Sequence, residues 1–467
     1  MGSPVPRAHI AQLVSSLRSR PIAGQVGWVI VPFGLQQIIR LATQIVLARL
    51  LAPEMFGLML LVNALRTGVE LLSDIGIGQS VVRSPNGDAR DFLRVAWTLQ
   101  VLRGALLSIT VFALAWPIAS LYDQPDLLPI LFVISPIFLI SGLLSPSLFT
   151  MQRHLMLKRR AAYDFASLIF QCVCTIALAA VMQSVWALVW GLLLSTIFTT
   201  VLSYAFGGGK YSRLAWSRQH ATEILHFGKW IFLSTAIYYA ATSFDRMYFV
   251  GVLSLALAGV FGVARTFSDM LGALAQRAGS YLVFPKIAAL RERRSQAAPR
   301  LRIARRNTLA LVAVVTGIGM AVSDEFIFIA YDARYHAAAF IIPVLLFGVW
   351  FSILSSFADA MLMGCGRPAP GAWSNGAKFA VMLVGLPFAL ASGSMVEALA
   401  VLVLAEAVRW LVLTWSSHDE GFARLSDDIY LTVGVLAVAI IAKLLLGSAG
   451  VVPTPAEWWH SRSLLHG

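Results

Sequence analysis

Charge is scarce in this chain. Only 13% of its 467 residues are Asp, Glu, Lys or Arg, against 58% hydrophobic residues and a mean hydropathy of +0.77. Soluble domains carry about 25% charged residues, so the balance excludes a soluble globular protein. It predicts an all-α polytopic membrane protein, because a helix satisfies its own backbone hydrogen bonds inside lipid. Cysteine is nearly absent. Cys172, Cys174 and Cys365 make no disulfide framework, and the first two, two apart in an apolar stretch, read as small packing residues. The eight histidines lie in loops or at span ends without metal-ligand spacing, so neither a metal site nor a cofactor is expected. Nucleotide-binding loops are missing as well. Gly207-Gly208-Gly209-Lys210 lacks the GK[ST] ending and a preceding strand, so any energy would come from an ion gradient or a partner. Residues 1–24, polar and without an apolar h-region, do not read as a cleavable signal, and the first hydrophobic segment is expected to stay in the membrane.

What is present is a series of thirteen apolar stretches, near 25–48, 57–81, 95–119, 127–150, 161–182, 185–206, 228–250, 258–284, 308–330, 340–363, 373–391, 396–415 and 429–447. Each approaches the ~20 residues a bilayer crossing needs. With the N-terminus inside, the inner segments hold 23 Lys and Arg, and the outer ones only Arg49, Arg334 and Arg462. That bias fixes orientation and accounts for most of the net charge of +13, leaving no reason to invoke nucleic acid. The longest inner loop, FPKIAALRERRSQAAPRLRIARRN, reads as an amphipathic helix lying on lipid. The thirteenth stretch would place AEWWHSR outside as an interfacial aromatic anchor.

The second half of the series echoes the first. Val46-Leu47-Ala48 through Phe56-Gly57 overlies Val250-Gly251-Val252-Leu253 through Phe261-Gly262 at a nearly constant shift, each reading as a helix end, a brief outer turn and a new helix. A parallel repeat of two six-span lobes follows: a tail at 1–24, one lobe at 25–206, an inner linker at 207–227, a second lobe at 228–415, and an added helix and tail at 416–467. About 12–14 transmembrane helices around a central cavity are expected.

Ten basic residues fall within the spans: Arg40, Arg66, Arg103, Lys229, Arg246, Arg265, Arg277, Lys378, Arg409 and Lys443. Against them stand Glu70, Asp74, Asp164, Asp245, Asp269, Asp359 and Glu406. Arg66/Glu70, Arg265/Asp269 and Glu406/Arg409 are helical neighbours that read equally as structural ion pairs. The set as a whole predicts a mildly cationic, water-filled interior suited to an anionic substrate, since ionisable groups at membrane depth face a cavity or one another. Arginine suits phosphate in particular, through its planar fork of permanent donors. Catalysis is poorly supported. The internal outer loops are shorter than the ~12–15 residues at which loops become functional lids, and the acid pair Asp427-Asp428 reads as a solvated turn before the last span.

The run QIVLARLLAPEMFGLMLLV, followed by LLSDIGIGQSVVR, resembles the opening of the Wzx-type polysaccharide and O-antigen flippases. These belong to the multidrug/oligosaccharidyl-lipid/polysaccharide exporter superfamily. HFGKWIFLSTAIYYAATSFDRMYFVGVLSLALAGVFGVA is similar to that family's seventh and eighth helices. The resemblance implies an alternating-access flippase, not an enzyme, in the bacterial inner membrane with its N-terminus cytoplasmic. It would carry prenyl-diphosphate-linked oligosaccharide from the cytoplasmic to the periplasmic leaflet and serve a glycan polymerase and export machinery. Arg40, Arg66 and Arg265 are the implied diphosphate contacts, with Arg103, Lys229 and Lys378 in support. Asp74, Asp245 and Asp269 are candidates for coupling to a proton or sodium ion. The alternatives are a multidrug/cation antiporter of the same superfamily, which would need uncompensated acids, and an integral-membrane glycan polymerase or ligase.

Overall fold

The computed structural model describes residues 22–154, 156–207, 211–278, 294–365, 367, 369–391, 393–418 and 424–448. Residues 1–21, 208–210 and 279–293 and the AEWWHSR segment lie outside the described residues, and with them the first ten residues of the basic loop at 284–307; its remainder, from Arg294, is helical and runs straight on into the next span. Among those described there is no strand. The N-terminal half comprises α1 (Ile22–Leu50), α2 (Pro53–Leu71), α3 (Ile77–Arg83), α4 (Arg90–Leu121), α5 (Leu127–Ile134), α6 (Pro136–Gly142), α7 (Ser147–Arg153), α8 (Leu157–Met182) and α9 (Val185–Gly207). The C-terminal half comprises α10 (Arg218–Val252), α11 (Leu255–Ala278), α12 (Arg294–Ala330), α13 (Ala338–Gly364), α14 (Ala369–Ala391), α15 (Met395–Ser417) and α16 (Leu425–Ser448).

Within the described residues every predicted span falls on helix, interrupted at 72–76 in the second and at 135 and 143–146 in the fourth; positions 279–284 of the eighth lie outside them. Among the described residues eight helices are long and apolar enough to cross a membrane, and the pair formed by α5–α6 and α7, bent by 56°, makes a ninth where it is counted as one span. The remaining predictions fall on α1, α2, α10 and α15, which carry many of the in-span charges. Span two ends ten residues earlier than its hydropathy suggests. α2 stops at Leu71, Asp74 Oδ1 accepts the Gly76 N–H at 2.9 Å, and Gly76 takes the left-handed conformation (φ 64°) before α3 begins.

α13 is the centre of the C-terminal half: 78% of its apolar window is buried, with α11, α12 and α15 packed around it. α16 lies at the periphery, with 6% buried, and packs on α12. In the N-terminal half α8 packs on α9 and on α1, and α4 lies against α6, where Gly104 and Gly142 let the two backbones approach. The halves meet along α2, which packs on α11 and α10. α10 itself leans on both halves. Its first turns insert Ala221 and Ile224 among Ile77, Phe92 and Leu93. Further along, the Tyr239 hydroxyl donates to the Ala64 carbonyl (2.8 Å), and beyond that Phe249 packs on Phe261 in the C-terminal core.

The acid pair at 427–428 corrects the sequence reading. Asp428 is fully buried, accepting two hydrogen bonds from Arg305 (2.6 and 2.9 Å) and one from Trp410 Nε1 (3.0 Å), and Asp427 accepts from Arg302 at 2.8 Å. At the other end of α16, Lys443 pairs with Asp324 of α12. α16 is therefore clamped to α12 at both ends, roughly 24 Å apart at a helical rise of 1.5 Å per residue.

At the end carrying the basic loops, Arg153 donates to the carbonyls of Val81, Val82 and Ser84, closing the orphan C-terminus of α3. Asp88 holds Arg153 (2.9 Å) and His154 (2.8 Å). Partial burial, the largest single influence, pushes the Asp88 carboxyl up. The His154 hydrogen bond and the Arg153 charge together outweigh it and hold the group below its ordinary value of 3.8. The folded state thus favours the carboxylate, and its contribution is complete above 3.8 and lost as pH falls through the lowered value. An acid-unfolding titration of purified Asp88→Asn should show less loss of stability below pH 4 than wild type, about a unit around the ordinary carboxylate range. Identical acid limbs would exclude this role.

Candidate functional site

α2 and α11 cross near their N-termini, at the end opposite the basic loops. A Cβ on Gly57 would run into the Leu255 carbonyl, and one on Gly259 into the Pro53 carbonyl, so glycine alone permits the approach. The repeated segments found in the sequence thus meet each other. Around the crossing, the Tyr335 hydroxyl donates to the Leu51 carbonyl (3.0 Å) and Arg49 to the Ala330 carbonyl (3.2 Å), both between halves. This end of the molecule is shut.

About 14 Å further along the same helices, at 1.5 Å per residue, the contact gives way to charge. On α2, Arg66 pairs with Glu70 at 2.8 Å, their side chains 27% and 38% exposed. Across from it, Arg246 of α10 pairs with Asp269 of α11, 29% and 41% exposed. Charged groups on helices that pack between the two halves do not face lipid. Their exposure is what a wet cleft beneath the shut end would give.

Two networks flank this cleft. On the N-terminal side Arg103 donates to the Ser73 hydroxyl (2.9 Å) and to the Glu70 carbonyl, with the Asp74 and Glu70 charges close by. On the C-terminal side Arg265 lies between Asp245 (3.5 Å) and Asp269 (3.3 Å). Neither carboxylate oxygen of Asp245, 1% exposed, has a hydrogen bond. Deeper in the half, Lys378 donates to Glu406 at 2.6 Å, and Arg409 approaches the other Glu406 oxygen at 3.8 Å. Asp359 on α13 feels the Arg409 charge.

The geometry brings Arg66, Arg103 and Asp74 together on one side and Arg265, Asp245 and Asp269 on the other. Lys378 stands apart as the partner of Glu406, and the Lys229 side chain lies outside the described residues. Arg40, exposed on α1, differs from all of these. Among in-span cations with described side chains, it alone has neither hydrogen bond nor ion pair. α1 packs against α11, which carries Arg265.

The mildly cationic interior needs correcting. The charge balance omitted Asp324, Glu325 and Glu397, and Asp324 neutralises Lys443. Arg66, Arg246, Arg265, Lys378 and Arg409 each have a carboxylate partner, so the networks approach neutrality; Arg103 is held by the Ser73 hydroxyl and the Glu70 carbonyl instead, and Arg40 by neither. Sequence reasoning also missed Lys378–Glu406, whose partners sit 28 residues apart with no periodic signal linking them. Among the described residues no three His, Cys, Asp or Glu side chains converge on a metal-sized site.

Residues 46–340 match the model of a family described as polysaccharide biosynthesis protein. The chain belongs to that family. The matched stretch contains Arg66, Arg103, Asp245, Arg265 and Asp269, while Arg40, Lys378 and Glu406 lie beyond it. Over 342 residues the chain is 23% identical to the lipopolysaccharide biosynthesis protein WzxC of Escherichia coli K12, covering 71% of this chain and 66% of that one. Over 453 residues it is 21% identical to the succinoglycan biosynthesis transport protein ExoT of Rhizobium meliloti, covering 94% and 89%. The fold of this family member is that of the lipid II flippase MurJ in an inward closed conformation. The TM-score is 0.74 at 12% identity, covering 93% of this chain and 95% of that one.

Proposed function

We propose that the protein flips prenyl-diphosphate-linked oligosaccharide repeat units from the cytoplasmic to the periplasmic leaflet of a bacterial inner membrane, for polysaccharide biosynthesis. The basic end is cytoplasmic and the shut end periplasmic, as the positive-inside bias requires. The halves 25–206 and 228–415 rock about the α2–α11 crossing, with the added helix α16 riding on α12. The observation that carries this reading is the set of half-exposed ion pairs beneath the tight α2–α11 crossing, with an unpaired, exposed arginine on α1. WzxC, ExoT and MurJ are named for biosynthesis, transport and flipping, which supports a carrier over an enzyme.

A diphosphate entering the cleft meets Arg40 with no partner to displace, so Arg40 binds first. Arg66 and Arg265 reach it only by loosening Glu70, Asp245 or Asp269, and that exchange ties substrate binding to the carboxylates. A proton or sodium ion taken up by Asp245 or Asp269 would offset the charge left behind. Asp74, held in its own turn, would respond through Arg103. Lys229 and Lys378 set the surrounding potential. Downstream, the delivered repeat unit would pass to a glycan polymerase and export machinery.

A reconstituted flipping assay with a fluorescent prenyl-diphosphate sugar, run with and without a proton or sodium gradient, tests this reading. Arg40→Gln should slow flipping at least tenfold, the scale of one lost charge-assisted contact to phosphate, with normal protein abundance. Normal flipping by Arg40→Gln/Arg66→Gln/Arg265→Gln would sink the binding assignment. Lengthened glycan products from the purified protein would point to a polymerase.

A further inference from the structure

We infer that the basic end carries a second anion site, a lodging for a lipid-borne phosphate headgroup in the cleft between α3 and the first turns of α10. The cleft, about 980 Å³, is lined by Ser80, Arg83 and Ser84 on one wall and by Arg218, Thr222 and His226 on the other. It is separate from the central cleft, sharing none of the charged residues assigned above to substrate.

Four observations point to an anion of this kind. Ser80 is 5% exposed, and its hydroxyl has no hydrogen-bond partner although the residue lines the cleft. A buried hydroxyl left without a partner is costly, and a phosphate oxygen supplies the missing one. Arg218 has neither ion pair nor hydrogen bond among the described residues, and Arg83 adds a second guanidinium to the rim. Arg218 and Gln219 form the first turn of α10, whose N-cap Ser217 makes no side-chain cap, so that turn's N–H groups add partial positive charge. The lining acid, Glu223, is already engaged, accepting from Ser84 Oγ at 2.6 Å with His220 4.0 Å away.

The position selects a lipid over a free anion. The cleft opens at the basic end, where span two gives way to the inner loop, which is headgroup depth for this topology. Pro85 and the side-chain stems of Arg83 and Arg218 line it beside the charged groups, as suits the glycerol or first prenyl carbons beside a phosphate. The chemistry is common to anionic phospholipids and prenyl diphosphates, and the assignment stands whether or not the protein proves to be a flippase.

The test is native mass spectrometry and lipid titration of the full-length protein in nanodiscs. One arm uses phosphatidylglycerol in a phosphatidylcholine background, and the other farnesyl diphosphate in phosphatidylcholine alone. Two variants are compared: Ser80→Val/Arg218→Gln, which removes the donors, and Thr222→Trp, which fills the cleft from an exposed position and leaves the buried packing in place. Wild type should retain a bound phosphate-bearing lipid, and both variants should weaken it about tenfold or more. Retention of phosphatidylglycerol alone makes the site a resident-lipid site, and retention of farnesyl diphosphate makes it a station for the prenyl carrier. Equal binding by wild type and Thr222→Trp, or no retention in either arm, overturns the proposal. Flipping is a separate readout, so loss of transport with lipid retention intact counts only against the transport reading.

Discussion

Asp428→Ala is expected to destabilise the purified protein by about 3–5 kcal/mol. Arg305 is 2% exposed at its side chain and Asp428 is fully buried, and the two share a bidentate pair. Removing the carboxylate leaves a guanidinium in the protein interior with no counter-charge and strips Trp410 Nε1 of its acceptor. The cost is therefore the stranded charge far more than the lost pair. That distinction is measurable: Arg305→Met/Asp428→Leu should recover most of the stability, because a buried pair replaced by apolar side chains of similar volume is close to neutral. Denaturant unfolding in detergent reads both. Wild-type stability in the single variant, or a double variant worse than the single, would show that the pair does not clamp α16.

The second large effect is conformational. Gly57→Leu places a side chain against the Leu255 carbonyl, a backbone atom with nowhere to retreat. Overpacking of this kind costs about 1–3 kcal/mol, which shifts a two-state equilibrium roughly 5- to 150-fold. The strain exists only while α2 and α11 touch, so the population moves toward states in which the shut end has parted. Spin labels at Glu54 and Ser254, both exposed beside the crossing, should then give a distance distribution with a new, longer component. Gly259→Leu should do the same from the facing helix, through the Pro53 carbonyl. An unchanged distribution in a stably folded Gly57→Leu protein would mean the crossing is not what keeps this end shut.

The helices were legible because lipid imposes one rule on all of them: an apolar stretch of about 20 residues must be helical. Local chemistry was legible too. Asp74-Ile75-Gly76-Ile77-Gly78 reads as a glycine-bearing break within the second apolar stretch, although the residue at which α2 ends depends on Gly76 adopting a positive φ. Arg66/Glu70 and Arg265/Asp269 were visible as i,i+4 neighbours, and each forms in the fold. Partners distant in sequence were not legible. Arg305–Asp428 spans 123 residues and Lys443–Asp324 spans 119, and nothing periodic connects such positions. For that reason Asp428 read as solvated when it is among the most buried acids, and the interior read as cationic when most of its cations are matched. The docking of α10's first turns on the N-terminal half was hidden for a similar reason. Ala221 and Ile224 are too few apolar residues to signal a packing face beside a charged loop.

The two clamps on α16 also set an order on how the chain is made. Asp245–Arg265, Arg246–Asp269 and Lys378–Glu406 join consecutive helices, so each charge meets its partner as a hairpin leaves the insertion machinery. Arg305 and Asp324 have no such neighbour. At about 5–20 residues per second of synthesis, α12 waits some 6–24 s for the segment that neutralises it. During that interval the nascent protein holds a cation and an anion at membrane depth or its edge without their final partners. The last described helix thus completes the charge pairing of a helix made long before it, and a ribosome that stops short of residue 425 leaves Arg305 and Asp324 without these partners.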